Sequence, residues 1–170
     1  ENTFRLEELA ENMLVSMQIE NDKYQYALST VDLSEMLNQV IDNQSIKGEI
    51  NGAIEPSLTL TGDGFIMRMV ANNLIENAFK YSDNQPIEVN LYMQGTKKVL
   101  EVKDIGVGIA KEDYKKIYKK FFRVQDEETR TTKGTGLGLF IVKQAVERHR
   151  GKVAVMANKP RGSVFIVELS

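Results

Sequence analysis

Two hairpin signals constrain the fold of this chain more than any other feature. Ile87, Val89, Leu91 and Met93 alternate with polar residues, Gly95-Thr96 turns the chain, and Val99 to Ile105 brings it back. Period-two alternation on either side of a glycine turn predicts an antiparallel pair with one buried face. Lys152 to Ala157 and Ser163 to Leu169 repeat the arrangement at the end of the sequence. Strands joined this way favour an antiparallel or mixed sheet covered by helices over a doubly wound parallel one, whose strands need long crossovers. The expected class is α+β.

Helical spacing supplies the cover. Asp32-Leu33-Ser34-Glu35 has the pattern of a capping box and opens a helix to about Ser45. Gly62-Asp63-Gly64 leads into a long helix ending near Tyr81, Lys111 to Lys120 reads as a modest helix, and Gly134 to Arg148 as one entered through glycines. Shorter strands are expected at Tyr24 to Thr30, Ile46 to Ile54 and Ser57 to Thr61. Ahead of these, Phe4, Leu6, Leu9, Met13, Leu14 and Met17 recur at helical spacing from Thr3 to about Glu20. That stripe suits a partner helix, yet none follows it directly. It either folds onto the core or is the tail of a longer helical hairpin.

Composition bounds the function. A chain of 170 residues that is 42% hydrophobic suits one domain, or one domain with a short appendage. Twenty-two basic against 24 acidic residues, a net charge of −2, argue against a nucleic-acid-binding surface. Without Cys there is no disulfide framework and no thiolate zinc site, which fits a reducing compartment. No run approaches the roughly 18 apolar residues of a membrane span, and Glu1-Asn2-Thr3-Phe4-Arg5 lacks a signal-peptide pattern, so the segment is expected to be soluble.

Four motifs carry chemistry. Asn73 and Asn77 stand one turn apart on the long helix, where a buried amide without a partner costs roughly 1–3 kcal/mol; a bound ion and its ligand would supply one. Asp104-Ile105-Gly106-Val107-Gly108-Ile109 follows a strand: the carboxylate can accept from an exocyclic amine such as adenine's, and the glycines would let a flat ring approach the backbone. Ile117-Tyr118-Lys119-Lys120-Phe121-Phe122-Arg123 precedes a stretch with no apolar residue, Asp126 to Lys133, which reads as a mobile lid anchored by aromatics or as a plain surface loop. Gly134-Thr135-Gly136-Leu137-Gly138-Leu139 puts glycine-exposed N–H groups at a helix start, an anion site. The spacing matches neither the dinucleotide fingerprint nor the P-loop.

In this order the motifs resemble the N, G1, F and G2 boxes of the catalytic ATP-binding domain of bacterial sensor histidine kinases, over about Tyr24 to Ser170. The resemblance implies an α/β sandwich in which a mixed, mostly antiparallel sheet packs on three main helices. Residues 23–170 would form that domain, and residues 1–22 the end of the second helix of a dimerisation and phosphoacceptor hairpin. It implies ATP or ADP with Mg²⁺ as cofactors, with Asn77 as the magnesium ligand and Asn73 lining the phosphate pocket. Lys80 would meet phosphate and Tyr81 pack near adenine or ribose. Asp104 would take the amine with Gly106 and Gly108 at the base, and Ile109 and Leu137 would wall the pocket. Gly134, Thr135, Gly136 and Gly138 would cradle phosphates, with Phe122, Arg123 and Lys133 completing the site. The partners implied are the hairpin of the parent protein, homodimeric there, and a cognate response regulator. The location implied is the cytoplasm, within a parent whose inner-membrane anchoring the sequence leaves open.

The single His, His149, sits before a glycine turn where the family has a structural His, so the acceptor is expected elsewhere. Three rivals remain: an ATP hydrolase of the gyrase and chaperone type, a serine kinase of the anti-sigma type, and an inactive nucleotide-binding module. The first would need a Glu where Asn73 stands, and Glu76 points about 100° away from Asn77 around the helix.

Overall fold

The computed structural model describes residues 2–122 and 137–170. In chain order the elements are α1 (Asn2–Glu20), β1 (Ser29–Asp32), α2 (Leu33–Gln44), β2 (Ile50–Asn51), β3 (Thr59–Gly62), α3 (Gly64–Tyr81), β4 (Ile87–Gln94), β5 (Lys97–Lys103), two 3₁₀ turns (Lys111–Asp113 and Lys116–Tyr118), α4 (Gly138–Arg148), β6 (Lys152–Ala157) and β7 (Ser163–Leu169). Five strands form one sheet in the order β2-β4-β5-β7-β6. Only β2 runs parallel to its neighbour. β1 and β3 make a separate antiparallel ribbon.

Both expected hairpins form, β4–β5 around Gly95 and β6–β7 around residues 158–162. Their registers align Val89, Val102, Phe165 and Val155 in one row and Leu91, Leu100, Val167 and Val153 in the next. These rows face Leu37 and Val40 of α2, Ile66, Leu74 and Phe79 of α3, and Ile141 and Val142 of α4 in a single core. The opposite sheet face is polar, with Lys103 3.4 Å from Glu88 and Tyr92 donating to Glu101 at 3.1 Å. The result is the expected two-layer sandwich with three covering helices.

Three expectations shift. Pairing of the first ribbon begins at Ser29 rather than Tyr24, because the carboxylate of Asp63 draws in the preceding segment: it accepts from the Tyr24 hydroxyl and the Ala27 N–H, both at 3.0 Å. The strand expected over Ile46 to Ile54 shrinks to Ile50–Asn51 with a lone bridge at Ile54. Gly52 breaks it, with φ +121° and no room for a Cβ against the Val89 carbonyl, 2.1 Å away. Lys111 to Lys120 forms two short turns, since only Ile117 and Tyr118 find burial there.

α1 lies against α4 through Val15, Ser16 and Ile19, all buried. Ion pairs Glu20–Lys120 and Asp22–Arg148 close the junction. Of the expected partner stripe, Leu6, Leu9, Met13, Leu14 and Met17 are 46–67% exposed, and the side chain of Phe4 lies outside what the structure describes. Among the described residues no helix is long and apolar enough to cross a membrane.

Candidate functional site

α3 begins on Asp63, whose Oδ1 accepts the Ile66 N–H at 3.1 Å, and runs along the core on Ile66, Leu74, Ile75, Ala78 and Phe79. One flank of it belongs to α2: Gln44 Nε2 donates to Asn72 at 2.9 Å and to Glu76 at 3.3 Å, and Lys47 lies 3.7 Å from Glu76. Asn73 and Asn77 occupy the next flank. Both are half-buried, and among the described residues neither amide has a hydrogen-bond partner.

α4 starts beside Asn73. A Cβ on Gly138 would stand 3.2 Å from Asn73 Oδ1, so the helix start comes close to the Asn face. No side chain caps α4. A helix start in this position, next to the Asn face, is where an anion would be held. Leu137, at the cap, is buried.

The other end of the site is Asp104, at the mouth of β5 and only 4% exposed. Its Oδ1 accepts the Gly106 N–H at 2.9 Å and the Ser163 N–H at 3.3 Å. Its Oδ2 has no hydrogen bond among the described residues. Burial pushes the carboxyl above the ordinary 3.8, and the two N–H donors pull it back in part.

Gly106 has a different reason for being glycine than the sequence suggested. A Cβ there would fall 2.1 Å from the Tyr81 carbonyl, so the loop is pressed against the end of α3 rather than opened to a ring. This contact joins the Asp104 end of the site to the Asn helix. Gly108 does need glycine's freedom, at φ +76°. Lys80 Nζ lies 5.5 Å from the Tyr81 ring centroid on the same last turn. Ile109 and Phe122 are partly buried against the core, whereas Phe121 is 65% exposed at φ +62°, so one aromatic of the pair anchors this segment and not both. Arg123, Lys133, Gly134, Thr135 and Gly136, with the proposed lid, lie outside the described residues.

His149 is structural. Its Nε2 accepts the Asp63 N–H at 3.0 Å and its Nδ1 lies 2.7 Å from the Ala145 carbonyl, which assigns the Nδ1–H tautomer and ties the end of α4 to the start of α3. Sequence reasoning missed Ser163, Gly162, Asn158 and Arg161, which hold the Asp104 loop from the β6–β7 hairpin. Their only signal was a turn composition. Among the described residues no three His, Cys, Asp or Glu side chains converge as a metal site. A cation on Asn77 would therefore depend on ligands brought by a nucleotide, as Mg²⁺ on phosphates does.

The start of α4 thus lies beside the amide face of α3, and the Asp104 loop packs on the last residue of the same helix. Residues 62–170 match the family model described as histidine kinase-, DNA gyrase B- and HSP90-like ATPase. The chain belongs to this family. It is 34% identical over 151 residues to the sensor histidine kinase AtsR of Burkholderia thailandensis, covering 82% of this chain and 25% of that protein. The chain thus spans about a quarter of that relative's length. Among solved structures, the mycobacterial sensor histidine kinase MprB superposes with a TM-score of 0.73 at 26% identity, over 84% of this chain and 97% of that one. Full-length ShkA, in a complex with AMPPNP, gives 0.79 at 25% identity, over 97% of this chain and 35% of that one. The fold is that of histidine kinase catalytic domains.

Proposed function

We propose that this chain is the ATP-binding half of a sensor histidine kinase, which binds Mg-ATP and directs its γ-phosphoryl group to a His on a dimerisation hairpin. The single observation that carries the reading is Asp104: one carboxylate oxygen is held by Gly106 and Ser163 N–H groups, and the other is left as a fixed acceptor at the edge of the site. A fixed carboxylate oxygen suits the exocyclic amine of adenine. Asn77 would hold Mg²⁺ through its amide oxygen, and the start of α4 with Asn73 would face the phosphates. When bound, Mg-ATP supplies the transferable phosphoryl group; the residues of this chain orient it and offset its charge.

Transfer is favoured over hydrolysis by what surrounds Asn77. The residue one turn earlier is an amide, which cannot act as a base toward a water, and Glu76 is turned toward α2, where Gln44 and Lys47 meet its Oε1, rather than toward Asn77. His149 is occupied by Asp63 and Ala145, so the acceptor belongs to another segment. Residues 1–22 fit the end of the second helix of that hairpin, because their apolar stripe is exposed. Within such a parent the next partner is a response regulator, in the cytoplasm. Incubation with γ-labelled ATP and the parent's hairpin, supplied as a separate chain, should label the hairpin His. Fast phosphate release by the chain alone, with no label on the hairpin, would contradict the reading.

A further inference from the structure

We infer that Asn158 and Arg161, in the β6–β7 connection, are positioning residues that set the base selectivity of the nucleotide site. The inference rests on the reading that Asp104 accepts the amine of adenine. The direction of Asp104 Oδ2 is fixed by the plane of the carboxylate, and that plane by the loop that donates to Oδ1. This loop has little apolar anchorage of its own, since Ile105 is 45% and Val107 61% exposed. Polar contacts from behind hold it instead. Asn158 Nδ2 donates to the Asp104 carbonyl at 2.9 Å, and Arg161 Nε donates to the Gly106 carbonyl at 3.0 Å. The carbonyls of the two residues flanking Ile105 are therefore each pinned by one side chain of the same connection.

The pins are themselves fixed. Asn158 Oδ1 accepts the Lys159 N–H at 2.9 Å and the Asn158 N–H donates to the Gly162 carbonyl at 3.0 Å. Gly162, at φ +102°, lies so close that a Cβ would be 1.9 Å from the Asp104 carbonyl oxygen. Arg161 reaches the Gly106 carbonyl through Nε rather than pairing with the Asp104 carboxylate, so its work is geometric and not a matter of charge. Adenine presents an amine where hypoxanthine presents a carbonyl. An aimed carboxylate oxygen accepts from the first and repels the second, and discrimination of this kind falls when the acceptor loses its aim.

The test is the ratio of affinities for Mg-ATP and Mg-ITP, two nucleotides that share ribose and triphosphate and differ in the base at C6, an amine against a carbonyl, and in the proton that hypoxanthine carries on the adjoining N1. Arg161→Met and Asn158→Ala should each lower the ratio about tenfold, or about 1.4 kcal/mol. Arg161→Gln carries an N–H donor the same number of bonds from the backbone and should keep the ratio, while Arg161→Lys keeps the charge without that donor and should behave like Met. An unchanged ratio in both Arg161→Met and Asn158→Ala, or equal ratios for Arg161→Gln and Arg161→Met, overturns the inference while the reading of Asp104 stands. If the unaltered protein does not prefer ATP, or Asp104→Asn keeps its full preference, that reading fails and the inference with it. A general loosening of the fold would weaken both nucleotides alike and leave the ratio in place.

Discussion

Asp104 is buried, and in the proposed function it has to be charged to accept an amine. Both N–H donors occupy Oδ1, so an added proton goes to Oδ2 and turns the acceptor into a donor. Because burial raises this carboxyl above 3.8, affinity for Mg-ATP should fall on acidification at a higher pH than an ordinary aspartate would give, and Asp104→Asn should remove that component. Stability runs the other way. A raised carboxyl contributes stability below its unfolded value that is lost as pH rises through the folded one. Titrations of affinity and of thermal unfolding between these limits check both signs.

At the same scale, Gly106→Ala should be severe, because its Cβ would meet backbone of α3 and not a yielding side chain. We expect a loss of several kcal/mol in denaturant unfolding, or no folded protein. Tyr118 offers the opposite case. Its hydroxyl is buried with no hydrogen-bond partner among the described residues, and burial pushes it up to about 12. Tyr118→Phe should be neutral or stabilising by about 1 kcal/mol, since it removes an unpaired polar atom.

Among the elements, the joint between α3 and α4 does more than cap a helix. Asp63 receives Tyr24, Ala27 and Ile66, while its own N–H goes to His149. Asp63→Ala should therefore cost about 2–4 kcal/mol, beyond the roughly 1 kcal/mol of a simple cap, and equilibrium unfolding measures it. The two hairpins, the cap at Asp32 and the long Asn helix were legible in the sequence because local chemistry decides them: alternation, a carboxylate before a helix, helical spacing. The late start of β1 and the breaking of the second strand were not. The first depends on a side chain 36 residues away, at Asp63, and the second on how close β4 passes to Gly52. The same holds for the candidate site. Asp104 and the Asn pair stand in motifs that the sequence displays, whereas Asn158, Arg161 and Ser163 reach the Asp104 loop through tertiary contacts that leave no local pattern.

On the scale of the molecule, the sandwich sets a buried carboxylate after β5 and brings the start of α4 beside the amide face of α3, the parts of the proposed nucleotide site, while α1 turns Leu6, Leu9, Met13, Leu14 and Met17 outward. The fold matches that of histidine kinase catalytic domains. The most direct measurement of the central claim is calorimetric titration of the chain with Mg-ATP, repeated with Asn77→Ala and Asp104→Ala. The account predicts tight binding that Asp104→Ala weakens about 10- to 100-fold with or without magnesium, and that Asn77→Ala weakens chiefly by abolishing the gain from magnesium. Unchanged affinity for Mg-ATP in both variants would contradict it.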